Sequence, residues 1–402
     1  MEQRKSFFKG ALSGAVVMSA IFIIVFAVAF NKTGINQGGK LGDTELGTQE
    51  TQKKIKAIEE LIAQTYLYSD DIDPEVLQQW LIKGYVQGLQ DPYSVYYDEE
   101  ETKSLMESTS GEFGGIGVAI TQNIDTMVIT FNNVYKDSPA EKAGLKSGDI
   151  LYKVDGKDVT GQDLDTVVAK IRGEKGTTVE ITVYRGSDLE EYTCKVTRDI
   201  IEVITVAYEM KEDHIGYVAV SGFEQVTYHQ FEEALQALNN QGMEKLIIDL
   251  RNNPGGNLST VCDMLDLILP EGTIVYTEDK HKVREVMTSD DEKQMNIPIV
   301  VLTNGNSASA SEIFAGAIQD YKKGTLIGTT TFGKGIVQNI FSLGDGTSLK
   351  LTTSEYFTPN GRNIHGIGIE PDIEVKYEYD EANPTADNQL QAAIEHLKSV
   401  KK

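Results

Sequence analysis

The sequence is poor in basic residues, in cysteine and in histidine. Among its 402 residues, Lys and Arg total 37 against 61 Asp and Glu, which gives a net charge of -24. This charge argues against a nucleic-acid-binding protein, because contacts with phosphates need clustered cations. Two cysteines, Cys194 and Cys262, are too few for a disulfide scaffold or a thiolate zinc cage, and whether they pair is left open. The five histidines show no paired-ligand spacing, so we expect no metal and no other cofactor.

The chain is nevertheless long and apolar enough to fold. Hydrophobic residues make up 40% and charged residues 24% of the composition, values typical of globular proteins. A length of 402 residues corresponds to two or three domains. We find no internal repeat that would indicate a solenoid.

One long hydrophobic run lies near the amino terminus. Residues 11–30 carry no charge over 20 positions, which is enough for a helix to cross a bilayer. Arg4, Lys5 and Lys9 precede this run, so residues 1–10 are expected in the cytoplasm and the remainder outside it. The alternative is a cleaved signal peptide, because Ala27-Val28-Ala29 has the small-x-small pattern of a cleavage site. The length of the run favours a retained transmembrane anchor.

The rest of the chain changes pattern several times. Apolar residues recur at helical spacing from Ile55, and Asp73-Pro74 has the form of a helix N-cap followed by a first-turn proline. Short strands with a hairpin at Asp155-Gly156 come next, and then strands that alternate with helices. The predicted fold class is α/β and mixed α+β, in a multidomain chain. The predicted segments are a cytoplasmic N-terminus (1–10), an anchor or signal peptide (11–30), a linker (31–51), a helical region (52–110), a small β-barrel (111–199), an α/β domain (200–376) and a tail ending in a helix (377–402).

A glycine-rich strand opens the β-barrel segment. Gly114, Gly115 and Gly117 allow consecutive N–H groups to turn inward and cradle a carboxylate. The strand over residues 117–120 is expected to have a free edge that accepts an extended peptide as an added strand. A tight turn is the alternative for these glycines taken alone. Together with SPAEKAGLKSGDILYKVDGKDV downstream, the segment resembles a PDZ domain in the permuted order of bacterial proteases.

The PDZ resemblance implies a site for free C-termini, with a small apolar pocket for the last side chain. Arg172 either senses the bound chain end or is a solvated surface arginine. The expected substrate-binding residues of this domain are Gly114, Gly115, Ile116, Gly117, Val118 and Arg172.

The segment NGNSASASE, residues 304–312, joins a buried strand to a helix. A serine at a helix N-terminus lies beside unpaired N–H groups, which favour a developing oxyanion. Ser307, Ser309 and Ser311 alternate here, and their spacing alone does not choose among them. A serine-rich helix cap is the alternative.

The segment GKGIVQ places Lys334 between two glycines ahead of an apolar strand. If this lysine is buried, its pKa falls and it can serve as the general base that a serine nucleophile needs. In a strand, Lys334, Ile336 and Gln338 point to the same face, so Gln338 is expected to hold the lysine amine. A surface lysine in a glycine turn is the alternative. Further upstream, Gly255 and Gly256 end LRNNPGG and either offer N–H groups to a carbonyl oxygen or form an ordinary turn.

The PDZ block, LRNNPGG, NGNSASASE and GKGIVQ occur in the order and at the spacing of the carboxyl-terminal processing proteases, also called tail-specific proteases. The resemblance extends from about Leu61 to Val375 and includes the element Asp91-Pro92-Tyr93-Ser94. It implies Ser309 as nucleophile, Lys334 as base and Gln338 as the support of the base. It also implies an oxyanion hole formed by the Ala310 N–H and that of Gly255 or Gly256, with Gly256 preferred.

The resemblance therefore implies a serine endopeptidase of the bacterial cell membrane, or a secreted one if the signal is cleaved. It would cut exported proteins whose C-terminal tails enter the PDZ groove, and would form a homodimer through its N-terminal helices and C-terminal segment. Two alternatives remain at this stage. One is a non-catalytic, membrane-tethered PDZ adaptor that keeps the fold, and the other is a Ser-His-Asp hydrolase, which requires a histidine near Ser309.

Overall fold

The structure is a computed structural model that describes residues 49–290 and 292–400. The chain divides into two compact units, one ending at Leu77 and one beginning at Gln78. The predicted anchor over residues 11–30 lies outside the described residues. Among the helices that are described, none has the length and hydropathy needed to cross a bilayer.

Helices dominate the first part of the described chain. They are α1 (Gln49–Thr65), a 3₁₀ turn (Ser69–Asp71), α2 (Pro74–Gln87) and α3 (Glu99–Ser110), with strand β1 (Val95–Tyr97) before α3. Because α1 begins at Gln49, the last three residues of the predicted linker are helical. The Asp73 carboxylate accepts a hydrogen bond from the Glu75 N–H at 2.9 Å, so the predicted N-cap of α2 is present.

The glycine-rich and hairpin segments form a small β-barrel. Its strands are β2 (Glu112–Gly115), β3 (Val118–Gln122), β4 (Ile129–Val134), β5 (Ile150–Val154), β6 (Lys157–Asp158), β7 (Thr178–Arg185), β8 (Glu190–Thr197) and β9 (Asp199–Glu202), with helices α4 (Pro139–Lys142) and α5 (Leu164–Ile171). The main sheet has the order β3-β4-β5-β7-β8, so β3 lies at its edge. Asp155 and Gly156 both have positive φ, 49° and 71°, which confirms the predicted turn.

A mostly parallel sheet forms the centre of the remaining chain. Its strands in spatial order are β10 (Val206–Lys211), β11 (Ile215–Val220), β12 (Lys245–Asp249), β15 (Ile299–Thr303), β16 (Thr325–Gly328) and β19 (Ile373–Glu374). Only β10 is antiparallel to its neighbour in this sheet. The helices are α6 (Thr227–Asn240), α7 (Leu258–Asp266), α8 (Ala310–Asp320) and α9 (Asn388–Ser399), with a 3₁₀ turn at Glu212–His214.

Both faces of this sheet are buried, as its continuous apolar strands predict. Leu246 and Ile248 pack in one core cluster with residues of α6, α7 and α8. Ile247, which lies between them, packs in a second cluster with Ala393 and Leu397 of α9. The alternation of side chains along β12 therefore distributes its residues between two helical layers.

A second, antiparallel sheet completes the unit. It contains β13 (Gly272–Asp279), β14 (Arg284–Ser289), β17 (Ile336–Ser342) and β18 (Ser348–Phe357), and β1 pairs with β18. In that pairing Val95 lies opposite Lys350. The residues that precede β1 are therefore carried to the sheet that contains β17, next to the GKGIVQ segment.

The two cysteines do not pair. Cys194 lies in β8 of the barrel and Cys262 is buried in α7, and both are free thiols.

Candidate active site

The three predicted catalytic segments meet around one cavity of about 250 Å³. LRNNPGG follows β12 and NGNSASASE follows β15, and these strands are parallel neighbours, so their carboxyl ends open onto the same edge of the sheet. The cavity is lined by Pro254, Gly256, Asn257, Leu258, Ser309, Ala310, Ile313, Lys334, Ile336, Val337, Gln338 and Tyr356. Gly255 is not part of this lining.

The three alternating serines differ in their burial and in their hydrogen bonds. The Ser307 hydroxyl is fully buried and donates to the Leu250 carbonyl at 2.8 Å. The Ser311 hydroxyl is also fully buried and donates to the Asn253 carbonyl at 2.9 Å. Ser309 alone of the three lines the cavity. The two outer serines therefore fasten the segment to the LRNNPGG loop, while the middle one faces the space that a substrate would fill.

Ser309 has a strained backbone. Its φ and ψ are 55° and -114°, a combination that side-chain-bearing residues rarely adopt. The Ser309 N–H donates to the Glu312 carboxylate at 2.9 Å, and the Tyr356 hydroxyl donates to the Ser309 carbonyl at 3.1 Å. These two bonds hold the turn that presents the serine at the start of α8.

The buried carboxylate of Glu312 joins the serine segment to the lysine segment. Its Oε2 atom accepts from the N–H of Ser309 at 2.9 Å and from that of Lys334 at 2.8 Å. Its Oε1 atom accepts from the Thr331 hydroxyl at 2.6 Å and the Gly333 N–H at 2.7 Å. The side chain is completely buried, and four donors offset the cost of placing a carboxylate there.

The two candidate oxyanion glycines differ in their hydrogen bonding. The Gly255 N–H donates to the Asn253 side-chain oxygen at 2.9 Å and is therefore occupied. In the part of the chain that the structure describes, the N–H groups of Gly256 and Ala310 have no acceptor, and both residues line the cavity. Gly256 rather than Gly255 is thus placed with Ala310 where a carbonyl oxygen could accept two hydrogen bonds.

Steric constraints also require glycine at both positions. A Cβ atom on Gly255 would lie 2.8 Å from the Cβ of Ser309, and one on Gly256 would lie 2.5 Å from the Phe223 carbonyl oxygen. Gly255 also has a φ of 107°. The close approach of the LRNNPGG loop to the serine segment therefore depends on the missing side chain of Gly255, and its approach to Phe223 depends on that of Gly256.

Lys334 is half-buried at the wall of the cavity. Burial lowers the pKa of its amine below the usual value, and the nearby charge of Lys350 lowers the pKa further. The carboxylates of Asp91 and Glu312 act in the opposite direction. The ammonium lies 4.5 Å from the centre of the Tyr93 ring, a cation–π geometry.

The serine and the lysine are not engaged with each other. No hydrogen bond joins the Ser309 hydroxyl to the Lys334 amine within the described residues. Lys334 lies in the loop before β17, and the ladder has a bulge between Val337 and Gln338, so the alternation expected from Lys334 to Gln338 is interrupted. Gln338 lines the cavity but donates to the Thr352 hydroxyl at 3.3 Å instead of to the lysine.

The five histidines all lie in the described part of the chain, and none of them is in the lining of the cavity. The imidazole of His365 accepts a hydrogen bond from the Gly335 N–H at 3.4 Å, beside the lysine loop. The placement of the histidines therefore offers no partner to Ser309 of the kind that a Ser-His-Asp triad requires.

A second, smaller cavity of about 160 Å³ lies at the edge strand of the β-barrel. It is lined by Phe113, Gly115, Ile116, Gly117, Val118, Ile120, Val168, Ile171 and Arg172. Five of the six residues predicted to bind substrate in this domain are thus brought together. Gly114 is not: a Cβ atom there would lie 2.0 Å from the Gly173 carbonyl, so this glycine serves a close backbone contact.

Arg172 is half-exposed at the rim of that cavity. Its guanidinium lies over the Phe113 ring at 4.1 Å and forms an ion pair with Glu107 of α3 at 3.6 Å. The side chain therefore links the barrel to the helix that precedes it.

Sequence reasoning missed the part played by several residues around the catalytic cavity. Glu312 had a recognisable signal, because Ser309-x-x-Glu312 has the spacing of a capping box. Tyr93 belongs to the Asp91–Ser94 element of the resemblance, but nothing local in the sequence places it against Lys334, since that loop is brought there by the pairing of β1 with β18. Thr352 lies opposite Gln338 in the pairing of β17 with β18, which was not predicted from the sequence.

Comparison with known families matches three segments of the chain. Residues 214–375 match the profile of Peptidase family S41, and residues 130–185 match that of the PDZ domain. Residues 19–102 match the activating protease CtpB N-terminal domain.

Full-length relatives are similar over most of the chain. A probable CtpA-like serine protease of Staphylococcus aureus strain COL is 36% identical over 92% of this chain and 72% of its own length. A protein of the same description from Staphylococcus epidermidis strain RP62A is 36% identical over 96% of this chain and 77% of its own.

Among solved structures, a putative S41 protease from Bacteroides fragilis NCTC 9343 aligns with 86% of this chain and 97% of its own, with 18% identity and a TM-score of 0.50. At this level of identity the likeness shows a shared fold alone.

Proposed function

The chain belongs to peptidase family S41, as a CtpA-like serine protease with a PDZ domain, and from this premise we propose that it cleaves exported proteins with a Ser309–Lys334 dyad. The observation that carries the proposal is the convergence of Ser309, Lys334, Ala310 and Gly256 on one cavity. The alternating spacing of the three serines does not identify the nucleophile. The burial of Ser307 and Ser311 supports Ser309 in that role.

In the proposed reaction, neutral Lys334 takes the proton of the Ser309 hydroxyl as the oxygen bonds to the peptide carbonyl carbon. The N–H groups of Ala310 and Gly256 stabilise the oxyanion that develops. Lys334 then gives its proton to the leaving amine as the C–N bond breaks. A water molecule, deprotonated by Lys334, hydrolyses the acyl-enzyme and restores the serine.

The proposed base must become neutral near physiological pH. Its half-burial and the charge of Lys350 both lower its pKa, which is the direction that a lysine base requires. Gln338 is proposed to support the amine once it moves to the serine. That exchange requires Gln338 to leave the Thr352 hydroxyl, its present acceptor.

The test uses the full-length protein in detergent and an unstructured polypeptide with an apolar C-terminal residue. Wild type should cleave it, whereas Ser309→Ala and Lys334→Ala should reduce kcat by about 10⁴-fold or more. Exposed Ser187→Ala and Lys282→Ala serve as matched controls. Undiminished cleavage by either dyad variant would refute the dyad, and absence of cleavage by wild type would favour the adaptor alternative.

We further propose that substrate tails bind at the small cavity of the β-barrel. Strand β3 has a free edge that can pair with an extended peptide, and the lining of the cavity is mainly aliphatic. The positive φ of Gly117, 79°, allows the backbone turn that would present N–H groups to a terminal carboxylate. A tail with a free carboxylate should be cleaved faster than the same tail with a terminal amide, and equal rates would contradict this proposal.

Attachment to a bacterial cell membrane is proposed from residues 11–30 and the cations before them. The catalytic part would then lie outside the cytoplasm. Retention in the membrane fraction after alkaline extraction supports the anchor. N-terminal sequencing that begins after Ala29 would instead show a cleaved signal peptide and secretion.

A homodimer is proposed through the N-terminal helices and the C-terminal segment. Leu61 and Leu67 in the first unit are 60% and 81% exposed, and Trp80 in the second is 65% exposed. Exposed apolar residues of this size are typical of association surfaces. Sedimentation velocity of wild type against Leu61→Glu should show a change from dimer to monomer, while a monomeric wild type would contradict the proposal.

A further inference from the structure

The loop that precedes β1 packs beside the proposed base. Tyr93 places its ring under the Lys334 ammonium, with 4.5 Å from Nζ to the ring centre. The Asp91 carboxylate lies close enough for each charge to act on the other: it raises the pKa of Lys334, and Lys334 lowers the pKa of Asp91. The lysine forms no ion pair within 4 Å in the described part of the chain. Asp91 and Tyr93 therefore stabilise its charged side chain without forming a salt bridge or a hydrogen bond with it.

Asp91 is itself held firmly in place. Its Oδ1 atom accepts from the Tyr93 N–H at 3.0 Å, and its Oδ2 atom accepts from the Ser94 hydroxyl at 2.6 Å. Burial alone would raise the pKa of Asp91, but the hydrogen bonds from Ser94, Thr352 and Tyr93 and the charge of Lys334 bring it below the usual value. The group is therefore a fixed negative charge at neutral pH.

A chain of hydrogen bonds continues from Asp91 to the cavity. The buried Ser94 hydroxyl accepts from the Thr352 N–H at 3.1 Å, and the Thr352 hydroxyl accepts from Gln338 at 3.3 Å. Gln338, the proposed support of the base, thus contacts the loop that faces the lysine only indirectly, through Thr352 of β18. It is linked by hydrogen bonds, through Thr352 and Ser94, to the same Asp91 carboxylate that acts on the charge of Lys334.

The other charged groups around Lys334 do not provide an alternative anchor. Lys350 on β18 repels the ammonium, and the Glu312 carboxylate on α8 already accepts four hydrogen bonds. His365 is bonded to the Gly335 N–H. Of the two carboxylates that favour the charged lysine, Asp91 is the one whose segment also supplies the ring beneath it.

We propose that Asp91 is a positioning residue for the base, and that with Tyr93 it forms a holding site for the charged, disengaged side chain of Lys334. This inference rests on the proposed Ser309–Lys334 dyad. For catalysis the held ammonium releases one proton to water, leaves the Tyr93 ring and reaches Ser309, while Gln338 exchanges Thr352 for the lysine. Asp91 thus opposes activation, and its charge sets how readily the base becomes neutral.

The experiment measures kcat/KM of the full-length protein against pH, with a soluble tail-bearing peptide as substrate. Asp91→Asn keeps the shape of the side chain and removes its charge. Because the charged lysine then loses an opposite charge, the acidic limb of the profile should move to lower pH by about one unit. Asp91→Glu should restore the wild-type limb. A purely structural role would lower kcat and leave the limb where it is.

A second measurement does not depend on turnover. Acylation of the Lys334 amine by a water-soluble ester, followed by mass spectrometry, reports the neutral fraction of the amine. At pH 7, Asp91→Asn should label up to about 10-fold faster than wild type, the change that one pH unit represents. Tyr93→Leu should also label faster, whereas Tyr93→Phe, which keeps the ring, should match wild type.

The outcomes distinguish a failure of the holding site from a failure of the proposed Ser309–Lys334 dyad. Full activity of Lys334→Ala would refute the dyad and with it the role of Asp91. An inactive Lys334→Ala together with an unmoved acidic limb and unchanged labelling in Asp91→Asn would overturn the holding site alone. Thermal unfolding of each variant shows whether the fold is intact.

Discussion

The Glu312 carboxylate accepts a hydrogen bond from the backbone N–H of Lys334 at 2.8 Å. The same oxygen accepts from the Ser309 N–H, so a single buried atom fixes the separation of the two segments that carry the proposed dyad. Glu312 does not touch the reacting atoms. Its effect on catalysis is expected to act through the positions of the other two residues.

Replacing Glu312 with glutamine should therefore damage both stability and turnover. The amide nitrogen cannot accept, so two of the four donors lose their acceptor, and the free energy of unfolding should fall by about 1–3 kcal/mol. Urea denaturation and kcat measure the two effects. The exposed Glu190→Gln is the control, and wild-type values for both quantities in Glu312→Gln would contradict the interpretation.

The three serines should respond differently to alanine. Ser309→Ala should abolish cleavage at nearly unchanged stability, because its hydroxyl faces the cavity. Ser307→Ala should leave the nucleophile in place but cost about 1–3 kcal/mol, since it removes the buried donor to the Leu250 carbonyl. Parallel measurements of cleavage and urea unfolding test this. Loss of cleavage in Ser307→Ala without loss of stability would count against Ser309.

Gly256→Ala should reduce kcat more than it changes KM. Its new Cβ would lie 2.5 Å from the Phe223 carbonyl oxygen, so the backbone must shift and the N–H leaves its place beside Ala310. Loss of one oxyanion donor costs about 10²–10³-fold in kcat. Gly305→Ala is a matched control, because the nearest atom to its Cβ, the Thr330 oxygen, is 4.0 Å away. Wild-type kcat in a folded Gly256→Ala would remove this glycine from the oxyanion hole.

Removal of the Lys350 charge should shift the pH profile to higher pH. Lys350 lowers the pKa of Lys334, so in Lys350→Met that pKa rises and less neutral base is present at a given pH. The acidic limb of kcat/KM should move up by about 0.5–1 unit, opposite to Asp91→Asn. Lys195→Met, an exposed lysine of the β-barrel, should leave the limb in place. A downward shift in Lys350→Met would contradict the sign of this interaction.

Val168→Asp should weaken the binding of substrate tails without unfolding the barrel. Val168 lines the small cavity, and a carboxylate there would face an apolar side chain and repel a terminal carboxylate. We expect Kd for a tail peptide to rise by about 10-fold or more, measured by fluorescence anisotropy. Ile124→Asp, at a position that is 90% exposed, is the control. Unchanged affinity in Val168→Asp would place tail binding elsewhere.

Much of the architecture follows from patterns that are local in the chain. The turn at Asp155-Gly156, the N-cap at Asp73 and the two-sided burial of β12 each depend on residues within a few positions of one another. The choice of Ser309 was different, because its neighbours at positions 307 and 311 have the same side chain. Only their partners, the carbonyls of Leu250 and Asn253, set them apart, and these come from another strand end.

The surroundings of Lys334 were the least predictable feature. The spacing predicts that Gln338 and Lys334 point to the same face of a strand. The ladder has a bulge between Val337 and Gln338, however, and Gln338 donates to the Thr352 hydroxyl instead of to the lysine. Tyr93 lies more than two hundred positions away in the chain. Such a contact depends on strand pairing that no local periodicity encodes.

The pairing of β1 with β18 joins residues 95–97 to residues 348–350. These positions are more than 250 residues apart, so the pairing can form only after residues 348–350 have been synthesised. The loop that faces Lys334 therefore reaches its place only after the barrel and most of the parallel sheet have been synthesised. A chain that ends before β18 contains the serine segment without the surroundings of the proposed base, so we expect proteolytic activity only once β18 has been synthesised and has paired with β1.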